Sequence, residues 1–136
     1  MNTIFLIICF LYSAGSAIDP RINPQDQTKK SAPAAEAYQW ITTDTSIVIL
    51  DVRTKEEFNG ETGHLKNALL IPVQELEKRM EELVPFKERT ILVYCRSGRR
   101  SSQATDLLLK NGYHSVNLEG GILRWNEEKL PTVKEK

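Results

Sequence analysis

The chain is poor in the residues that mark common cofactor sites. It has two cysteines, Cys9 and Cys95, and two histidines, His64 and His114. These four are scattered, so the close ligand spacing of a structural or catalytic metal site is absent, and no metal is expected. There is no glycine-rich nucleotide loop and no Gly-x-Ser-x-Gly elbow, which removes the usual phosphate cradles and serine hydrolase signature. Net charge is also missing. Eighteen Lys and Arg balance eighteen Asp and Glu, so no global field draws the chain to nucleic acid or an anionic membrane. Any electrostatic function must be local. Long apolar runs are lacking too: the longest, Ile4 to Tyr12, has nine residues, too few to span a bilayer.

That short run is itself a signal. It is followed by Ser13-Ala14-Gly15-Ser16-Ala17, the small-residue pattern of a secretory cleavage site. Residues 1–17 are therefore expected to be a signal peptide, although no Lys or Arg precedes the run, and cleavage after Ser16 or after Ala17 fits equally. The protein is expected to be exported, periplasmic or secreted, with no stable membrane insertion after cleavage. Removal of the leader removes Cys9. Cys95 is then left without an intramolecular partner in an oxidising compartment, where most cysteines pair, and such a leftover thiol is a candidate reactive group.

Residues 18–30 are polar and proline-spaced, as in a flexible arm. From Ser31 the pattern alternates. Ser31 can cap a helix with Pro33 in its first turn, and Ala34, Ala37, Tyr38 and Ile41 share one helical face. Ile47–Leu50 is a β-branched run suited to a strand buried on both sides. Thr54-Lys55-Glu56-Glu57 reads as a capping box, with Gly60 as its stop. Leu69–Ile71 predicts a short strand ended by Pro72. Leu76, Met80, Leu83 and Val84 predict one helical face, with Glu75 and Arg79 paired outside it. Ile91–Tyr94 is the next strand. Ala104, Leu107 and Leu108 line a helix ended by Asn111-Gly112. Val116 and Leu118 mark another strand, and Gly120-Gly121 leads into a last helix through Trp125 and Leu130. One domain over residues 31–132 follows, with a tail at 133–136. Its class is α/β: a central parallel sheet of four to five strands with helices on both faces. Ligands of such sheets bind at the carboxyl ends of the strands, where Cys95 stands.

Cys95 opens the segment Cys95-Arg96-Ser97-Gly98-Arg99-Arg100-Ser101. A sulfur nucleophile works as the thiolate. A helix starting near Ser101 points its free N–H groups back at the loop. Arg96, Arg99 and Arg100 add positive charge, and Gly98 lets the backbone curl into an anion-binding nest. Such a cradle suits a thiolate, a persulfide or a small sulfur oxyanion.

Residues 31 to about 132 resemble a single-domain rhodanese. The matching pieces are Asp51-Val52-Arg53, Glu57-Phe58, Gly63-His64-Leu65-Lys66-Asn67-Ala68 leading to Ile71-Pro72, and the Cys95–Ser101 loop. Gly112-Tyr113, Val116, Leu118-Glu119-Gly120-Gly121 and Trp125 close the set. The resemblance implies a rhodanese-like fold and a sulfurtransferase working without a cofactor. Cys95 would take a sulfane sulfur, become a persulfide and pass that sulfur to a thiol or cyanide. The backbone of Arg96, Ser97, Gly98, Arg99 and Arg100, with Ser101, would hold the sulfur. The three arginine side chains would hold a small anionic donor such as thiosulfate. Asp51, Arg53 and His64 would be structural near the site, and His114 exposed. The protein is expected to be a monomer with no nucleic-acid partner. Two alternatives stand beside this reading. One is a non-catalytic rhodanese-like binding module. The other is a phosphatase or arsenate reductase of the same fold, which wants Cys-x5-Arg, whereas here Ser101 occupies that sixth position and arginine arrives one residue early.

Overall fold

The structure is a computed structural model and describes residues 28–134. The expected leader, Cys9 and most of the expected arm lie outside the described residues. Five strands form one parallel sheet: β1 (Ser31–Ala32), β2 (Val48–Asp51), β3 (Leu69–Leu70), β4 (Thr90–Tyr94) and β5 (His114–Leu118). Their order across the sheet is β1-β5-β4-β2-β3. β4 therefore lies at the centre, in register with β2 from Val48↔Ile91 to Asp51↔Tyr94 and with β5 from Thr90↔His114 to Val93↔Asn117.

Side chains of the central strands alternate between the two faces, as the period of a strand requires. Leu92 and Tyr94 enter one core with Trp40, Leu118, Ile122 and Trp125. Ile91, Val93 and Cys95 enter the other with Leu50, Leu76, Ala104 and Leu108. The first face is covered by α1 (Ala34–Thr43) and α5 (Gly121–Glu127). The second is covered by α3 (Val73–Arg79) and α4 (Arg99–Lys110). The short α2 (Lys55–Phe58) carries the expected capping box, with Thr54 Oγ1 accepting from the Glu57 N–H at 3.2 Å. The α/β class, the parallel sheet and the helices around it are thus observed.

Several local expectations shift. Ser31 does not cap α1. It pairs with Asn117 in β1, and Pro33 takes the cap position without a side-chain hydrogen bond. The edge of β5 had open backbone groups, and pairing them outweighed a cap. Lys29 and Lys30, at the end of the expected arm, are held: Lys29 Nζ donates to Glu36 at 2.6 Å, and Lys30 C=O accepts from the Asn117 N–H at 2.9 Å. The helix expected through Val84 changes at Met80 to a 3-10 stretch, Met80–Phe86, that contains Pro85. Three residues per turn instead of 3.6 rotates Val84 out of the buried stripe, and it is 56% exposed. α4 starts at Arg99, two residues before Ser101, because Gly98 at φ +100° turns the chain into it. α5 stops at Glu127, short of Leu130; Leu130 still joins the core edge.

Candidate active site

Cys95 follows the last residue of β4, at the carboxyl end of the sheet's central strand. It is 1% exposed. Its Sγ accepts a hydrogen bond from the Gly98 N–H at 3.1 Å and lies 3.3 Å from Ser101 Oγ. Burial pushes this thiol up, but the Ser101 hydroxyl and the backbone N–H groups of Ser101, Gly98 and Ser97 push it down further. The result lies below the ordinary thiol value. The charged form of the sulfur is thus favoured by the Ser101 hydroxyl and by the backbone dipoles of the loop.

The loop takes that shape because its carbonyls have somewhere else to go. Cys95 C=O accepts from the Ile122 N–H at 2.9 Å, and Arg96 C=O from the Leu123 N–H at 3.1 Å. These are first-turn N–H groups of α5, donors that a helix cannot satisfy internally. The approach is close enough that a Cβ at position 121 would sit 2.4 Å from Arg96 O, and Gly121 has φ +58°. Only glycine meets both conditions.

The three arginines part company. Arg96 and Arg99 are exposed and make no ion pair with any described residue. Arg100 is bound: its two terminal nitrogens donate to the two carboxylate oxygens of Glu57 at 2.7 and 2.8 Å. Glu57 is thereby held below the usual carboxylate range. Arg100 also senses the sulfur, since Glu57 first and then the Cys95 thiolate push its basicity up. The arginine expected to grip a donor freely is thus half-neutralised by α2. Ser97 is exposed at the loop rim, whereas Ser101 is wholly buried beneath the sulfur. Ser101 touches the nucleophile from inside, not from the solvent side.

Asp51, Arg53 and His64 are buried and make their bonds elsewhere than at the sulfur. Arg53 grips Asp51 through Nε at 3.0 Å and through a terminal nitrogen at 2.7 Å. It also donates to Gly63 C=O and to Thr62 Oγ1, each at 2.8 Å. Its guanidinium lies 5.4 Å from the Tyr94 ring centroid, and Tyr94 Oη accepts from the Leu65 N–H at 3.0 Å. His64 stacks on Phe58 at 3.7 Å, with Nδ1 3.1 Å from Phe58 C=O. Its backbone forms a two-bond bridge with Val133. The ring meets Phe58 and not the sulfur. His114, half-buried, opens β5 beside Thr90, at the opposite end of the sheet from Cys95. Among the described residues no cluster of His, Cys, Asp and Glu could hold a metal ion, and no helix is long and apolar enough to cross a membrane.

The rhodanese-like domain model matches residues 33–128, most of the chain. The chain belongs to the rhodanese-like domain family. It is 40% identical over 88 residues to a sulfurtransferase of Allochromatium vinosum, covering 64% of this chain and 78% of that one. It is 36% identical over 104 residues to thiosulfate sulfurtransferase PspE of Escherichia coli, covering 76% and 86%. Among solved structures, a rhodanese-related protein from Thermoplasma volcanium superposes with a TM-score of 0.70 at 34% identity, covering 78% of this chain and 99% of that one.

Sequence reasoning missed two members of this rhodanese site. In the sequence Glu57 reads as part of a capping box and, with Phe58, of the family pattern; it keeps the cap while also binding Arg100, a second partner that leaves no separate sequence signal. Asn117 was not singled out. Its Oδ1 lies 2.6 Å from Ser101 Oγ, and a polar residue inside the Val116–Leu118 strand was the available clue.

Proposed function

We propose that this rhodanese is a sulfurtransferase acting through a Cys95 persulfide. The observation that carries the reading is the seat of Cys95 Sγ: a buried sulfur, 1% exposed, facing the Gly98 N–H and the Ser101 hydroxyl. A nucleophile so enclosed is reached by a protruding atom. The outer sulfur of thiosulfate or of an organic persulfide is terminal and carries no substituents beyond its one bond. A phosphate ester presents its phosphorus behind four oxygens, and the position where a phosphatase needs its closing arginine holds the buried Ser101.

In the first half-reaction the Cys95 thiolate attacks the outer sulfur of the donor. The new S–S bond forms as the donor's own S–S bond breaks, and its electron pair leaves with sulfite when the donor is thiosulfate. The terminal sulfur of the persulfide then carries the negative charge in the cradle of backbone N–H groups. In the second half-reaction a cyanide carbon or an acceptor thiolate attacks that terminal sulfur, and the bonding pair returns to Cys95. Two half-reactions through a covalent form give ping-pong kinetics. Arg96 and Arg99 at the exposed rim lower the repulsion between an anionic donor and the thiolate. The test is sulfur transfer from thiosulfate to cyanide, with the intact mass measured after donor treatment. Wild type gains one sulfur atom on Cys95 and turns over, and Cys95→Ser does neither. A wild type that accepts sulfur from neither thiosulfate nor an alkyl persulfide would leave a binding module.

A further inference from the structure

Ser101 has one hydroxyl proton and two claimants for it. Oγ lies 2.6 Å from Asn117 Oδ1 and 3.3 Å from Cys95 Sγ. A hydroxyl donates once and accepts through two lone pairs. With a neutral thiol the arithmetic closes: the Cys95 S–H donates to Ser101 Oγ, and the Ser101 O–H donates to Asn117 Oδ1. With a thiolate it fails, because the sulfur has become an acceptor and needs the Ser101 proton that Asn117 Oδ1 is holding. Half a turn of the Asn117 amide removes the conflict. Nδ2 then donates to Ser101 Oγ, and the Ser101 O–H is released to the sulfur. The other end of the amide faces the Gly98 turn: Nδ2 lies 3.9 Å from where a Cβ on Gly98 would stand. Its backbone is fixed on both sides, by Val93 in β4 and by the bond to Lys30 C=O, so the side chain is the part that turns.

We propose that Asn117 is a positioning residue for the Cys95 nucleophile, its side-chain amide turning over as the sulfur changes charge and so setting which way the Ser101 hydroxyl points. One proton leaves the thiol for solvent, and no covalent bond changes along the relay. The catalytic meaning of this device rests on the sulfur-transfer reading; its existence does not. The charged groups nearest the sulfur in the fold are Arg100 on α4, bound to Glu57 of α2, and Arg96 and Arg99 at the rim, with the buried Asp51–Arg53 pair at the end of β2. Beyond them lie Glu119 after β5, bonded by Ser31, and Arg124 on α5, paired with Glu127 and Glu128. Among the described residues no side-chain hydrogen bond joins any of them to the Asn117 or Ser101 side chains, so the relay answers to Cys95.

The experiment follows the rate of Cys95 alkylation by iodoacetamide against pH, which reads the thiolate whether or not the protein moves sulfur. Asn117→Asp replaces the turning amide with a group that only accepts. The Ser101 proton then stays turned away, and the alkylation midpoint is expected to rise by about one pH unit, a roughly tenfold slower reaction at pH values well below the wild-type midpoint. The added charge alone acts without Ser101. In a Ser101→Ala background the same substitution is therefore expected to shift the midpoint far less, the difference being the coupling through the hydroxyl. Equal shifts in both backgrounds would overturn the proposal. A second measurement needs no variant at position 117. In the wild-type protein the Asn117 side-chain amide resonances are expected to titrate with the alkylation midpoint, and in Ser101→Ala that response is expected to collapse. Resonances that stay flat through the wild-type midpoint would sink the relay.

Discussion

Two arginine–carboxylate pairs flank the centre of this molecule, and they differ in almost everything but chemistry. Asp51–Arg53 is closed to water, its side chains 0% and 1% exposed. Glu57–Arg100 has a comparable forked geometry but is about 30% open on each side. The first joins the end of β2 to the Thr62–Gly63 turn and underlies Tyr94. The second joins α2 to the helix that carries the nucleophile loop. Burial decides what each can do. A buried ion pair is a fixed joint, since separating its members strands a charge in a poor solvent. A half-open pair is weakly bound and water competes for it, so its members stay responsive to an arriving anion.

Breaking the closed pair is expected to have the largest effect. Arg53→Leu leaves Asp51 charged and fully buried, a loss of about 3–5 kcal/mol. Thermal or denaturant unfolding would show it, with sulfur transfer lost only as the fold is lost. Arg100→Ala should invert that pattern. Stability is expected to move by less than about 1 kcal/mol. Transfer from thiosulfate falls roughly tenfold, in keeping with a charge-assisted hydrogen bond near the thiolate. Unchanged kinetics with thiosulfate would remove Arg100 from the donor site. The smallest effect belongs to Glu57→Gln and is pH-dependent. Arg100 depresses the Glu57 carboxyl from its ordinary value of 4.5. The stability this contributes is therefore present above about pH 4.5 and is lost as pH falls through the depressed folded value. Wild type and Glu57→Gln are expected to differ by less than about 1 kcal/mol at neutral pH and to converge in acid, as unfolding curves at the two pH values would report.

The same contrast separates what could be read from residue order from what could not. Ile47–Leu50 and Ile91–Tyr94 announce themselves because a strand buried on both faces must be apolar throughout, and position alone then puts Cys95 at a strand end. Gly98 and Gly120-Gly121 also speak locally, through backbone conformations that few other residues adopt. Pairings between distant segments are different. Ser31 looks like a cap until the open edge of β5 is known. Arg100 looks free until α2 is placed 43 residues back along the chain against it. Val84 fits a helical stripe that Pro85 helps convert to a tighter winding. Asn117 shows only as a polar residue inside an apolar strand, since its importance lies in the single proton of a serine from another element.

The clasp between the cysteine loop and α5 also orders events in time. The carbonyls of Cys95 and Arg96 are turned by N–H groups from residues 122 and 123, which leave the ribosome after the whole of the loop and α4. A nascent chain holding every strand but not its final helix therefore lacks the partner that shapes the sulfur's cradle. The shape of the loop around the sulfur thus depends on a segment that is read after it, and α5 closes the cradle from the far side of the chain.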